Sequence, residues 1–232
     1  MNLAKTVATH LSKWYLKNRR PLPWRAHKDP YAIWISEVML QQTTVAAVIP
    51  YYERFISNFP TVKALANAPV EQVLENWSGL GYYSRARNLH KSAQILATKG
   101  FPSSYLDLIE LPGFGPYTSR AVSSIAFGEN VGVLDGNVIR VLSRHFGIAE
   151  PWWETKVRKK FQDLVDQIVN KGNSSVLNQA LMELGATVCT PEKTLCVLCP
   201  LNKTCYALKK DEVQKFPLKK KKPKMLLWSY TP

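Results

Sequence analysis

The sequence predicts an all-α fold. Apolar residues recur at three- and four-residue spacing in segment after segment, and strand-like alternation is scarce. Proline and glycine breaks at Phe59-Pro60, Gly100-Phe101-Pro102, Leu111-Pro112-Gly113 and Glu150-Pro151 punctuate those runs. The spacing gives helices over 3–18, 31–48, 50–58, 61–67, 70–76, 80–98, 104–110, 116–127, 135–146, 153–171 and 174–185, with no internal repeat. The first carries Leu3, Val7, Leu11, Trp14 and Tyr15 with Lys5 and Lys13 among them, which reads as an amphipathic helix and not as an export signal. Pro116 opens the helix at 116–127 from its favoured first position, and Asp135 stands where a helix over 135–146 would be capped.

At 232 residues, 46% hydrophobic and 21% charged, the chain is long enough for one or two globular domains with an ordinary core. No apolar run is long enough to span a bilayer, so a membrane partner is not expected. The formal charge of +14 suits a polyanionic partner and equally describes a solvated basic surface. Lysines crowd from Lys209 onward, and 219–224 reads Lys-Lys-Lys-Lys-Pro-Lys, a linker or phosphate-seeking tail that marks a domain edge.

All four cysteines fall in one array, Cys189, Cys196, Cys199 and Cys205, spaced C-x6-C-x2-C-x5-C. A disulfide scaffold would spread its cysteines over a shorter chain, so these read as ligands of one metal centre. Zinc ribbons pair two C-x2-C knuckles, whereas here only Cys196 and Cys199 make one; with Pro200 following, the spacing favours an iron–sulfur cluster over zinc. Reduced thiols without an export signal suggest the cytoplasm, in association with the nucleoid if the source is bacterial.

Two further motifs carry chemistry. Leu111-Pro112-Gly113-Phe114-Gly115 between two short helical runs has the pattern of a helix-hairpin-helix, in which Gly113 and Gly115 would let backbone amides approach a phosphate. Two carboxylates stand alone in uncharged surroundings. Glu37 is the only charge between Asp29 and Glu53, and Asp135 the only one between Glu129 and Arg140. Burial would raise the pKa of Glu37 and keep it protonated near neutrality, as a general acid requires; a buried acid paired with an arginine would look the same. Asp135 taken alone reads first as a helix cap. Together the two acids suit cleavage of a glycosidic bond, and a basic, phosphate-gripping scaffold makes it the N-glycosidic bond of a nucleotide flipped from a duplex.

These residues resemble the helix-hairpin-helix DNA glycosylases with an endonuclease III-type iron–sulfur loop, and within them the adenine DNA glycosylases of the MutY branch. The resemblance runs from Leu22-Pro23-Trp24-Arg25 through Ser36-Glu37-Val38-Met39-Leu40-Gln41-Gln42-Thr43 and Gly79-Leu80-Gly81-Tyr82-Tyr83-Ser84-Arg85 to the cysteines. It implies two helical lobes flanking a DNA-binding cleft. Residues 22–132 would form a six-helix lobe with the helix-hairpin-helix at 104–127, residues 1–21 and 133–208 the cluster lobe, and 209–232 a basic linker or tail.

The resemblance also implies roles. Glu37 matches the acid that protonates the departing adenine, and Asp135 the carboxylate that stabilises the sugar cation. Tyr117 stands where strand-cleaving relatives place a Schiff-base lysine, which implies a monofunctional enzyme. Gln42 and Tyr82 match side chains inserted into the DNA stack, although packing alone would also account for Tyr82. Arg20, Trp24, Leu40 and Gln179 match positions lining the adenine pocket. The four cysteines match ligands of a [4Fe–4S] cluster that orders a DNA-facing loop. The implied partner is double-stranded DNA carrying adenine opposite 8-oxoguanine or guanine, bound by a monomer. Family members normally continue into a C-terminal Nudix-like domain that helps recognise 8-oxoguanine. This sequence ends at Pro232, so the expectation is the catalytic region without that domain, with 8-oxoguanine selectivity the property affected. Two other readings compete: a thymine or uracil mismatch glycosylase, against which Glu37 counts, and an idle iron–sulfur DNA-binding protein.

Overall fold

The computed structural model describes residues 3–26 and 28–220. Among them there is no strand. The α-helices are α1 (Leu3–Asn18), α2 (Pro30–Met39), α3 (Val45–Asn58), α4 (Val62–Asn67), α5 (Val70–Trp77), α6 (Ser84–Lys99), α7 (Tyr105–Leu108), α8 (Pro116–Phe127), α9 (Gly136–Phe146), α10 (Thr155–Val169), α11 (Ser174–Thr187) and α12 (Tyr206–Lys209), with single 3-10 turns around them. No helix among the described residues is long and apolar enough to cross a membrane. Lys221 to Lys224 of the lysine run lie outside the described residues.

The apolar spacing located most elements to within about two residues. It failed where 31–48 was expected to run as one helix. α2 stops at Met39, residues 40–44 turn, and Gln42 takes a left-handed backbone with φ of 59°. The Thr44 side chain then accepts from the Ala47 amide at 3.4 Å and starts α3, which carries Pro50 inside it at the cost of one intrahelical hydrogen bond. α6 likewise begins at Ser84 and not at 80, because Gly79, Gly81 and Tyr82 all have positive φ.

Two hydrophobic cores form. One gathers Trp34, Phe55, Leu65, Trp77 and Leu89 from α2 to α6 together with Phe114 of the hairpin. The other gathers Leu11 and Tyr15 of α1 with Val138, Phe161 and Leu181 of α9, α10 and α11. Each such side chain contributes about 1.5–3 kcal/mol by leaving water. α8 packs on α2 in the first core and on α11 in the second, so its N-terminal residues lie where the cores meet.

Candidate active site

α2 forms one wall of the site. Asp29 caps it by accepting from the Tyr31 amide at 3.1 Å, Pro30 occupies its first turn, and Tyr31 to Met39 are all buried. A helix apolar all round has no solvated face on which a charge could sit, so Glu37 is buried at 6% exposure. Trp34, one turn earlier, stacks on Phe114 with ring centroids 5.2 Å apart, which fixes the hairpin against α2. The chain then enters α8 through Gly115 and Pro116, and Tyr117 points back at α2. Its hydroxyl donates to Glu37 Oε2 at 2.6 Å.

The opposite wall is α9 and α11. Asp135 caps α9, its Oδ1 accepting from the Val138 amide at 2.7 Å and its Oδ2 from Asn137 Nδ2 at 3.0 Å. α11 closes on α9 because Gly185 has no side chain: a Cβ there would lie 2.6 Å from Asn137 Cβ and 3.0 Å from the Asn137 carbonyl oxygen. Glu183, buried at 1% exposure, accepts from Arg20 Nε at 2.7 Å and Nη2 at 2.8 Å, and from Arg25 Nη2 at 2.8 Å.

Between these walls is a cavity of about 170 Å³ lined by Glu37, Tyr117, Asp135, Arg20, Trp24, Leu40 and Gln179. Seven residues singled out from the sequence thus share one space, joined by Arg25, Asn137, Met182 and Glu183. No lysine lines it. Burial pushes the Glu37 carboxyl up to about 7 against the opposing pull of the Tyr117 hydrogen bond, and the nearby Asp135 adds to the rise. Burial also raises Asp135, while the Val138 amide and the Asn137 side chain offset part of that rise. Glu183 goes the other way, held down to about 2 by its arginine hydrogen bonds despite burial. The cavity therefore offers a carboxyl poised to give up a proton near neutral pH, with the Asp135 side chain across from it.

A groove adjoins the cavity and shares Leu40, Tyr117 and Asp135 with it. Gln42, Gly113, Gly115 and Arg158 line this groove. Gly113 needs to be glycine, since φ is 79° and a Cβ would meet Asn88 Cβ at 2.8 Å; Gly115 lies in extended backbone with open space beside it. Tyr82 lines neither space and is 61% exposed on the loop before α6.

The four cysteines are unbridged and line one small cavity beside Arg144. Burial pushes the Cys199 thiol up to about 12, and the other three cysteines add to the rise; Cys205 is raised by burial and by Cys189 and Cys196. Among the described residues no three His, Cys, Asp or Glu side chains converge tightly enough to hold a single ion, so the four sulfurs share a cavity and not a point. Arg144, 2% exposed, ties this region together, donating to the carbonyls of Thr190, Pro191, Val213 and Phe216 and to Cys189 Sγ at 3.4 Å. From Asp135 a hydrogen-bonded path runs through Asn137 and Arg140 to the Cys189 carbonyl, with Arg140 Nη2 2.6 Å from Asn137 Oδ1 and Nε 2.8 Å from the carbonyl.

Sequence reasoning missed Glu183, Arg25, Asn137, Arg140 and Arg144. The signal for Glu183 was present, since it is the only charge between Lys171 and Glu192, the same isolation that marked Glu37. The arginines carried no such signal, because in sequence they look like any other part of a basic surface.

The chain is 43% identical over 222 residues to the adenine DNA glycosylase of Buchnera aphidicola (subsp. Acyrthosiphon pisum, strain APS), covering 93% of this chain and 63% of that protein. It is also 43% identical over 214 residues to the adenine DNA glycosylase of Homo sapiens, covering 87% of this chain and 39% of that one. The chain thus spans less than two thirds of the length of these relatives. Among solved structures, a thermostable thymine-DNA glycosylase superposes with a TM-score of 0.79 at 29% identity, covering 90% of this chain and 98% of that one. A non-covalent endonuclease III–DNA complex superposes with a TM-score of 0.72 at 25% identity, covering 88% and 94%. A family model described as HhH-GPD superfamily base excision DNA repair protein matches residues 35–167, more than half of the length, and the chain belongs to that superfamily.

Proposed function

We propose that this chain is a monofunctional DNA glycosylase that hydrolyses the N-glycosidic bond of adenine opposite 8-oxoguanine or guanine and leaves an abasic site. One observation carries the reading: a buried glutamic acid raised to about 7, hydrogen-bonded to Tyr117, shares with Asp135 a cavity that no lysine among the described residues lines. Glu37 gives its proton to the flipped adenine, so that the base leaves as a neutral molecule with the electrons of the broken C1′–N bond. The Asp135 carboxylate stabilises the positive charge left on the sugar. Water adds at C1′ and loses a proton, which restores a protonated carboxyl. Tyr117 has no amine with which to form an imine, so no strand cleavage follows. Arg20, Trp24, Leu40 and Gln179 line the adenine pocket, and Gln42 and Tyr82 fill the gap the base leaves. The adenine glycosylase names of relatives 43% identical support the substrate.

The helix-hairpin-helix amides around Gly113 and Gly115 would hold a DNA phosphate, a reading supported by the likeness to an endonuclease III–DNA complex. Cys189, Cys196, Cys199 and Cys205 would hold a [4Fe–4S] cluster; four unbridged, half-buried cysteines around one cavity fit such a group. When bound, the cluster supplies order to the loop and takes no part in bond cleavage. The two cores support a lobe at 22–132 and a lobe of 1–21 with 133–208, followed by the basic segment 209–232. The thymine-DNA glycosylase likeness favours a second substrate class, which a proton-donating Glu37 argues against.

The test is excision from labelled duplexes bearing adenine opposite 8-oxoguanine, guanine or thymine, with a thymine–guanine duplex alongside. The strand should be cut only after alkali, at adenine opposite 8-oxoguanine or guanine. Cutting without alkali, with a borohydride-trapped adduct, or removal of thymine in place of adenine, contradicts the assignment.

A further inference from the structure

Two loops carry the residues proposed to enter the DNA stack, and each puts that residue in a left-handed backbone, Gln42 at φ of 59° and Tyr82 at 47°. For a non-glycine residue such backbone costs roughly 1–2 kcal/mol and persists where the surroundings hold it. Both loops are held by one side chain. Arg85 Nη1 donates to the carbonyls of Val38 at 2.8 Å, Met39 at 3.2 Å and Gln41 at 2.8 Å. Its Nη2 donates to the carbonyls of Leu80 at 3.1 Å and Gly81 at 3.3 Å. The guanidinium lies 5.3 Å over the Trp77 ring and 5.5 Å over the Tyr82 ring. Its Nε is buried without a partner, so the side chain is placed by these carbonyls and rings and not by an ion pair.

A helix C-cap would need only the α2 carbonyls. The bonds to Leu80 and Gly81 and the contact with Tyr82 reach further. They fix a ring that is 61% exposed and gains little stability from being fixed. A residue that organises an exposed ring serves something outside the chain.

We propose that Arg85 is a positioning residue that locks the Gln42 and Tyr82 loops to each other, so that both side chains enter the DNA stack as one unit when the base leaves it. The proposal rests on the glycosylase reading above, in which Gln42 and Tyr82 are the inserted side chains. A planar five-donor fork can bridge two sets of carbonyls, which a lysine ammonium cannot.

The experiment is a double-mutant cycle of Arg85→Lys and Tyr82→Ala. It reads single-turnover excision of adenine opposite 8-oxoguanine and the fluorescence of a 2-aminopurine placed beside the target, with melting temperature as a fold control. R85K should slow excision about tenfold, the scale of a partly lost unstacking contribution, and should diminish the 2-aminopurine rise while the fold persists. The double variant should be no slower than Y82A alone. Multiplying effects of the two substitutions, or a wild-type 2-aminopurine rise in R85K, overturn the role of Arg85. Y82A excising at the wild-type rate instead overturns the wedge reading, and the proposal with it. Arg85→Gln, which keeps an amide donor pair for one loop only, gives the same cycle if R85K does not fold.

Discussion

The two walls of the cavity carry one buried glutamate each, and the two touch different partners. Glu37 on α2 meets a phenol and apolar side chains, and burial takes it up to about 7. Glu183 on α11 meets two guanidinium groups, and their hydrogen bonds take it down to about 2. The residue type is the same and the shifts are opposite, because Glu183 accepts hydrogen bonds from guanidinium groups and Glu37 accepts from a phenol. The α2 wall is therefore suited to giving a proton away, and the α11 wall to holding Arg20 and Arg25 in place around whatever enters.

The largest effect that separates the walls comes from Glu37→Gln. It removes the proton donor but not the shape, so adenine excision should fall by about 10²–10⁴-fold while duplex binding is kept. Excision at the wild-type rate would remove Glu37 from the reaction. Glu183→Ala should act on the fold instead, since it leaves two partly buried arginines unpaired at a cost of about 3 kcal/mol, read as a lower midpoint in urea. A midpoint unchanged from wild type would mean that water compensates the arginines.

The pH dependence of stability sets the walls against each other. The folded chain holds a proton on Glu37 that the unfolded chain releases above its ordinary pKa of 4.5. That contribution is fully present below 4.5 and is lost as pH rises through about 7, so E37Q should gain on wild type over this window by up to about 3 kcal/mol. Glu183 has the opposite sign. Its contribution is present above 4.5 and is lost as pH falls toward about 2. Thermal melts of wild type, E37Q and Glu183→Gln across pH check both slopes; parallel curves for all three would contradict the assignment. The smallest effect is that of Tyr117→Phe. It removes a hydrogen bond that favours the Glu37 carboxylate, worth about 1 kcal/mol, so the alkaline limb of excision should move to higher pH.

Much of this was legible in the chain. Apolar spacing found the helices, and charge isolation found Glu37 and Asp135. The failure at 40–44 shows why local reading stops short. Val38, Val45 and Val48 continue a helical spacing across the break, and the carbonyls that end α2 are taken up by Arg85, far along the chain. Glu183 was legible by the same isolation as Glu37, but its arginine partners were not, because Arg20 and Arg25 come from the other end of the sequence. A lone acid can be read from its neighbours in sequence, whereas its protonation is set by neighbours in space. Gly113 was legible as a turn, yet the close approach of Asn88 that demands it comes from α6.

The central claim is that Glu37 reacts in its protonated form. The most direct measurement is single-turnover excision of adenine opposite 8-oxoguanine from pH 5.5 to 9, in wild type and E37Q. The account predicts a wild-type rate that falls as pH rises through about 7 and a much slower E37Q rate without that limb. A wild-type rate that stays level or climbs across neutrality would contradict it.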